Sequence, residues 1–110
     1  MSNNEIRIEQ AIHEKGLIAP RVTPQMITDT IVGAEYYVFP GTTTTVCCLK
    51  LRNGFTVVGE SACASPENFN EELGRDMARE DARKKIWALE GYLLKQQLHQ
   101  KAACVQHVPV

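Results

Sequence analysis

Asn53-Gly54 constrains this chain more than any other pair of residues. An Asn-Gly step between two apolar-alternating runs marks a β-hairpin, because the favoured two-residue loop needs positive φ at both positions. Val46 to Arg52 runs into the turn and Phe55 to Ser61 runs out of it. A two-residue loop sets Arg52 opposite Phe55, Leu51 opposite Thr56, Lys50 opposite Val57, Leu49 opposite Val58 and Cys48 opposite Gly59. In that register Cys47, Leu49, Leu51, Thr56 and Val58 share the better core face. Val46, Cys48, Lys50, Arg52, Phe55 and Val57 share the other, where two cations and an aromatic ring suit a subunit or an anionic, stackable ligand. A partly covered sheet face with solvated Lys and Arg ends is the simpler reading of the same pattern.

The second strand leaves through Gly59-Glu60-Ser61-Ala62-Cys63-Ala64 and meets Ser65-Pro66-Glu67, a capping residue, a first-turn proline and an acid placed for the positive end of a helix. Phe69, Leu73, Met77, Ala82, Ile86, Leu89 and Leu93 then recur at steps of three to five, which predicts one long helix over about 66–98. Gly91 inside it points to a kink or to close packing near Trp87 and Tyr92. Upstream, Thr23-Pro24 opens a short helix over about 24–32 with Met26, Ile27, Thr30 and Ile31 on its apolar face and Gly33 as its stop. Glu35 to Phe39 is aromatic and β-branched and predicts a strand ended by Pro40-Gly41. The pattern as a whole is α+β: a small antiparallel sheet built on the hairpin (about 46–52 and 55–61), packed with the short N-terminal helix and the long C-terminal one. We expect a single domain over 1–110. Residues 1–20 form a weakly patterned arm, with Met1 to Asn4 frayed and a short helix from Glu5 to Lys15 stopping at Gly16, and 102–110 form a frayed tail.

Twelve Lys and Arg against thirteen Asp and Glu leave a formal charge of −1 over 110 residues. That balance lacks the broad field on which non-specific nucleic-acid binding depends, so a nucleic-acid partner is not expected. A domain of this length buries only about two thirds of its unfolded surface, and a homo-oligomer is expected to make up the difference. The four cysteines, Cys47, Cys48, Cys63 and Cys104, form no C-x-x-C pair, and neighbours such as Cys47 and Cys48 point to opposite faces of a strand. Neither zinc nor any other cofactor is expected. With no signal-peptide pattern and no apolar run near the length of a membrane span, the chain is expected to be intracellular, with no membrane partner.

Catalysis finds little to work with. His13, His99 and His107 lie in the weakly patterned ends, no Ser or Cys stands in a nucleophile-elbow context, and Cys63 is a thiol near a helix start without a placed base. No glycine-rich phosphate loop is present, so a binding or structural role is expected rather than an enzyme. Arg75, Arg79 and Arg83 stand at i, i+4 and i+8, a guanidinium stripe suited to phosphate. Glu72, Asp76 and Glu80 run parallel to it, however, and Glu71 with Arg75, Asp76 with Arg79 and Glu80 with Lys84 fall at helix-pairing distances. A solvated ion-pair face is the simpler account of that row.

Several segments carry a resemblance. Gly54-Phe55-Thr56-Val57, Gly59-Glu60-Ser61-Ala62-Cys63, Ser65-Pro66-Glu67-Asn68-Phe69, Gly74-Arg75, Lys85-Ile86-Trp87 and Leu89-Glu90-Gly91-Tyr92-Leu93-Leu94 resemble the Gp-forty-nine-like family of short tailed-phage and prophage proteins. Arg21-Val22-Thr23-Pro24 is similar as well, so the likeness spans about Arg21 to Leu98; it departs at Ala88, where the family pattern implies a proline. The resemblance implies a phage accessory protein acting in the host bacterial cytoplasm. The size, hairpin and long helix are also similar to phage anti-Thoeris proteins, which oligomerise, sequester a cyclic ADP-ribose signal made by bacterial TIR-domain defences, and release it intact.

A cyclic ADP-ribose-like or other cyclic nucleotide signal needs N–H donors or arginines for its pyrophosphate, an aromatic ring for its base, and amide or carboxylate groups for its ribose hydroxyls. The helix start near Ser65 supplies free N–H groups and a positive dipole end. Ser61, Asn68 and Phe69 stand beside it, Arg75 and Arg79 lie on the helix, and Arg21 and Arg52 are placed to arrive from a neighbouring subunit. The alternative is a protein-interaction module that inhibits a host or phage protein through the Phe55 face, with no small-molecule ligand.

Overall fold

A computed structural model describes residues 2–106; Met1 and the tail from His107 to Val110 lie outside the described residues. The elements run α1 (Asn3–Glu14), α2 (Pro24–Thr30), β1 (Ile31–Val38), β2 (Thr45–Leu51), β3 (Thr56–Ser61), a single 3₁₀ turn (Pro66–Asn68) and α3 (Glu71–Gln106). The three strands form an antiparallel sheet in the order β1-β2-β3, and α3 lies across β2 and β3 on one of its faces. This is the expected α+β arrangement of hairpin, short helix and long helix.

The hairpin turn differs from its expected form by one residue. Gly54 N–H donates to Leu51 O at 2.9 Å and Leu51 N–H donates to Phe55 O at 2.9 Å, so the loop is Arg52-Asn53-Gly54. Gly54 alone takes positive φ (+90°), while Asn53 stays on the negative side and its Oδ1 accepts from Phe55 N–H at 3.0 Å. This is a three-residue loop, a turn followed by a left-handed glycine, rather than the two-residue form. The shift of one residue exchanges the two faces of β3. Leu49 pairs with Val57 and Cys48 with Val58, so Val57 is buried while Thr56 and Val58 join Val46, Cys48 and Lys50 on the outer face.

The boundaries of the other elements move for local reasons. Thr23 Oγ1 accepts from Met26 N–H and Pro24 opens α2 as expected, but the helix ends at Thr30 because Ile31 is already extended and pairs with Leu51. The strand therefore starts at Ile31 rather than Glu35, and Gly33 lies within it beside an irregularity in the β1–β2 ladder. Helix α1 starts earlier than expected, at Asn3, because Ser2 and Glu5 form a reciprocal capping box. Its stop at Gly16 (φ +64°) is as expected. At the other end α3 continues to Gln106, through the segment from Ala102 expected to fray.

The expected stripe on α3 is also displaced. Gly74, Ala78, Ala82 and Ile86 are buried at every fourth position, whereas Leu73 and Met77 are about 60% exposed. A Cβ on Gly59 would lie 2.2 Å from Ala78 O and from Ala82 N, so the helix backbone meets β3 with almost nothing between them. Small residues line that contact, and the large side chains expected there are turned to its flanks. The core consists of Ile27, Cys47, Leu49, Leu51, Val57, Ala78, Ala82 and Ile86, with Val22, Ile31, Tyr36 and Trp87 packed around it. A Cβ on Gly91 would meet nothing within 4 Å, so the close packing expected there is absent.

Candidate functional site

The loop joining β3 to α3 folds around a cavity of about 210 Å³. Ser61, Asn68 and Phe69 line it, together with Thr43, Cys63, Asn70, Leu73, Gly74 and Met77. Each wall has a local cause. Thr43 Oγ1 donates to Cys63 O at 2.6 Å and accepts from Cys63 N–H at 3.1 Å, which clasps the loop to the start of β2. Ser61 Oγ donates to Gly74 O at 2.7 Å and ties the end of β3 to the first turns of α3. Gly74 lets the Phe69 ring and Thr45 close on the helix, since a Cβ there would lie 3.5 Å from Phe69 Cε1 and 2.9 Å from Thr45 Oγ1. Thr43 and Asn70 were not singled out by sequence, and Met77 was expected on the helix stripe rather than in a site; the four-residue spacing Gly74-Ala78-Ala82 was the signal that the helix approaches the sheet here.

The helix start differs from its expected form. Pro66–Asn68 is only one 3₁₀ turn, in which Asn68 N–H donates to Ser65 O and Phe69 N–H to Pro66 O. The α-helix begins at Glu71, where Asn70 Oδ1 accepts from Leu73 N–H at 3.0 Å and Glu71 and Glu72 occupy the first turn. Of the N–H groups expected free near Ser65, those of Asn68 and Phe69 are thus engaged, and Glu71 and Glu72 bring two carboxylates to the positive end of the helix, which weighs against an anion seat.

The arginines are dispersed. Arg75 lies 3.7 Å from Glu71, and Arg79 pairs with Asp76 at 2.9 Å and donates to Tyr36 Oη at 3.3 Å. Arg21 makes a two-pronged pair with Glu9 of α1, at 2.5 and 2.9 Å. Arg52 and Phe55 flank the exposed hairpin tip. Of the eight candidates, the fold therefore brings Ser61, Asn68 and Phe69 together and holds Arg75, Arg79, Arg21, Arg52 and Phe55 apart from them. On the outer sheet face an open recess of about 590 Å³ runs over Tyr37, Val46, Cys48 and Val58, bordered by the Glu35–Lys50 pair at 3.1 Å.

A polar cluster that the sequence did not reveal joins the two ends of the described chain. Arg83 Nε donates to both Glu5 oxygens at 2.9 and 3.2 Å, and Trp87 Nε1 donates to Glu5 Oε2 at 2.7 Å. Burial raises the Glu5 pKa, but the hydrogen bonds from Arg83, Trp87 and Ser2 N–H and the Arg83 charge outweigh it, so the carboxyl sits below its usual range.

Residues 22–98 match the model of the Phage protein (N4 Gp49/phage Sf6 gene 66) family, from the residue before the α2 cap to the far part of α3. The chain belongs to this family. No curated protein and no solved structure matches it. The family segment contains the sheet, the loop cavity, Arg83 and Trp87, and leaves α1 with Glu5 outside. Ala88, where the family pattern implied a proline, lies within the continuous α3. Among the described residues no helix is long and apolar enough to cross a membrane.

Proposed function

We propose that this phage-family protein binds a nucleotide-derived immune signal of the cyclic ADP-ribose class, holds it without turnover in the host bacterial cytoplasm, and so withholds it from an anti-phage defence. The observation that carries the proposal is the loop cavity, where an aromatic ring (Phe69), an exposed amide (Asn68) and hydroxyl groups (Thr43, Ser61) converge on one recess. Rings take bases by stacking, and amides and hydroxyls take ribose or base edges. At about 210 Å³ the recess is smaller than the roughly 300–1,000 Å³ of ordinary ligand sites, so it accepts part of such a ligand. The remainder calls for cations from Arg75 on the same helix or from Arg21 or Arg52 of a second copy, which makes a homo-oligomer part of the proposal. Centrifugal filtration of the product of an activated TIR-domain enzyme with the protein tests it. The wild-type protein is expected to deplete the filtrate of signal, and folded Asn68→Ala and Phe69→Ala variants to deplete it at least tenfold less well. A filtrate in which the wild-type protein leaves the signal undiminished contradicts the proposal.

The hairpin tip favours a second reading. Phe55 is 56% exposed beside Arg52, and aromatic and arginine side chains are the usual anchors of protein interfaces. Capture of a single host or phage protein that is lost on Phe55→Ala, with no small molecule bound, would support that reading over the first.

A further inference from the structure

Arg83 differs from Arg75 and Arg79 in being hidden: its side chain is only 9% exposed. Besides the two bonds to Glu5, its Nη2 donates to Pro24 O at 2.8 Å and to Thr28 Oγ1 at 3.1 Å, both on α2. One edge of the guanidinium is thus fixed by the body of the protein, and the other edge, joined by the Trp87 indole N–H, is presented to a carboxylate. The donors belong to α2 and α3, whereas the acceptor belongs to α1. On that helix Glu5 is held at 11% exposure, but no apolar residue is fully buried, and Ile6 and Ile8 remain exposed. It connects to α2 through residues 15–23, where Gly16 takes φ +64° and Ile18 is almost wholly exposed. The receptor is therefore the firmly held part and its occupant the loosely held one. A cavity of about 280 Å³ continues from the contact between α1 and α3, with Ile8, Pro24 and Trp87 as its apolar walls and Glu80 and Lys84 at its edge.

We propose that Arg83 and Trp87 form a carboxylate-binding site, filled in cis by Glu5, which takes an acidic helical peptide in trans when α1 lifts away. The guanidinium Nε–H, shared between both oxygens, and the indole N–H on Oε2 are donors matched to a carboxylate. Glu80, on α3 alongside, opposes the higher charge of a phosphate. The site is separate from the loop cavity, for Arg83 stands nine residues, about 13 Å, along α3 from Gly74. Because a tethered occupant acts at an effective concentration of about the millimolar range, α1 masks the site in the wild-type chain.

The protein's single tryptophan reports directly on this site. The probe is a synthetic peptide spanning residues 2–14, titrated into full-length Glu5→Gln protein while Trp87 fluorescence is followed. A saturable shift is expected, at least tenfold weaker with a peptide carrying Gln in place of Glu5, and at least tenfold weaker in the wild-type protein, whose site is filled. No saturable shift by about 1 mM peptide, or equal responses to the two peptides, overturns the proposal. Hydrogen exchange of the wild-type chain supplies a test free of any variant. The amides of α1 are expected to exchange about a hundredfold faster than those of α3 around Ala82, and equal protection of the two overturns the proposal.

Discussion

Three residues decide how closely this fold can be packed, and each gives a measurable outcome. Gly59 permits the helix backbone to touch β3, and a methyl group there would stand 2.2 Å from two backbone atoms that cannot rotate away. Gly59→Ala is expected to cost about 3 kcal/mol or more in urea unfolding, at the upper end of overpacking. Thr45 is fully buried and its Oγ1 finds no hydrogen-bond partner among the described residues. Replacing that hydroxyl by a methyl group removes a desolvated polar atom, so Thr45→Val is expected to raise stability by about 1 kcal/mol, read from the same unfolding curves. Glu5 supplies a pH signature. Its folded pKa lies below its unfolded one, so its contribution is complete above the unfolded value, near 4.5, and is lost as pH falls through the folded value. Glu9, lowered by its hydrogen bonds from Arg21, shifts in the same sense. Glu5→Gln is therefore expected to lower the midpoint of thermal unfolding at neutral pH and to narrow its gap from wild type in strong acid. A gap that is constant across the acid range would contradict this account.

At the scale of elements, the hairpin shows what the chain discloses of itself and what it withholds. The two strands and their turn were legible because Asn-Gly and apolar alternation are local signals. The register was not, because the same residues suit a two-residue and a three-residue loop, which differ in whether Arg52 pairs in the strand or enters the turn and in the φ of Asn53. A substitution pair probes the turn. Gly54→Ala, at φ +90°, is expected to cost about 1–2 kcal/mol, whereas Asn53→Asp, which retains an oxygen for Phe55 N–H, is expected to change stability by less than about 0.5 kcal/mol. The long helix was legible by period, and Ala82 and Ile86 of its expected stripe are buried, but Leu73, Met77, Leu89 and Leu93 are not, because hydrophobicity marks large residues and the contact with Gly59 selects small ones. The start of α1 and its bond to Arg83 were hidden for another reason. Glu5 and Arg83 are 78 positions apart, and nothing local announces such a pair. Within the candidate site, Ser61, Asn68 and Phe69 were legible because one loop carries them all. Whether distant arginines reach that loop depends on tertiary geometry, which pairs them elsewhere.

At the scale of the whole molecule, the chain is elongated, 69 × 34 × 22 Å, since α3 extends about 54 Å while, among the described residues, its fully buried positions stop at Ile86. Beyond that point Leu89, Tyr92, Leu93 and Leu98 are exposed among the described residues. Helix stability comes mainly from packing of an apolar face, so self-association is expected there. Analytical ultracentrifugation is expected to give a mass that is a multiple of the chain's, and Leu93→Glu to reduce it. The proposed ligand requires in addition that association bring arginines of one copy to the loop cavity of another. The most direct measurement of that proposal is mass spectrometry of what heat releases from the washed protein after exposure to the product of an activated TIR-domain enzyme. The expected result is an unmodified cyclic ADP-ribose-class molecule, released by the wild-type protein and missing from Phe69→Ala. An empty supernatant from the wild-type protein, or a nucleotide converted to something else, would contradict it.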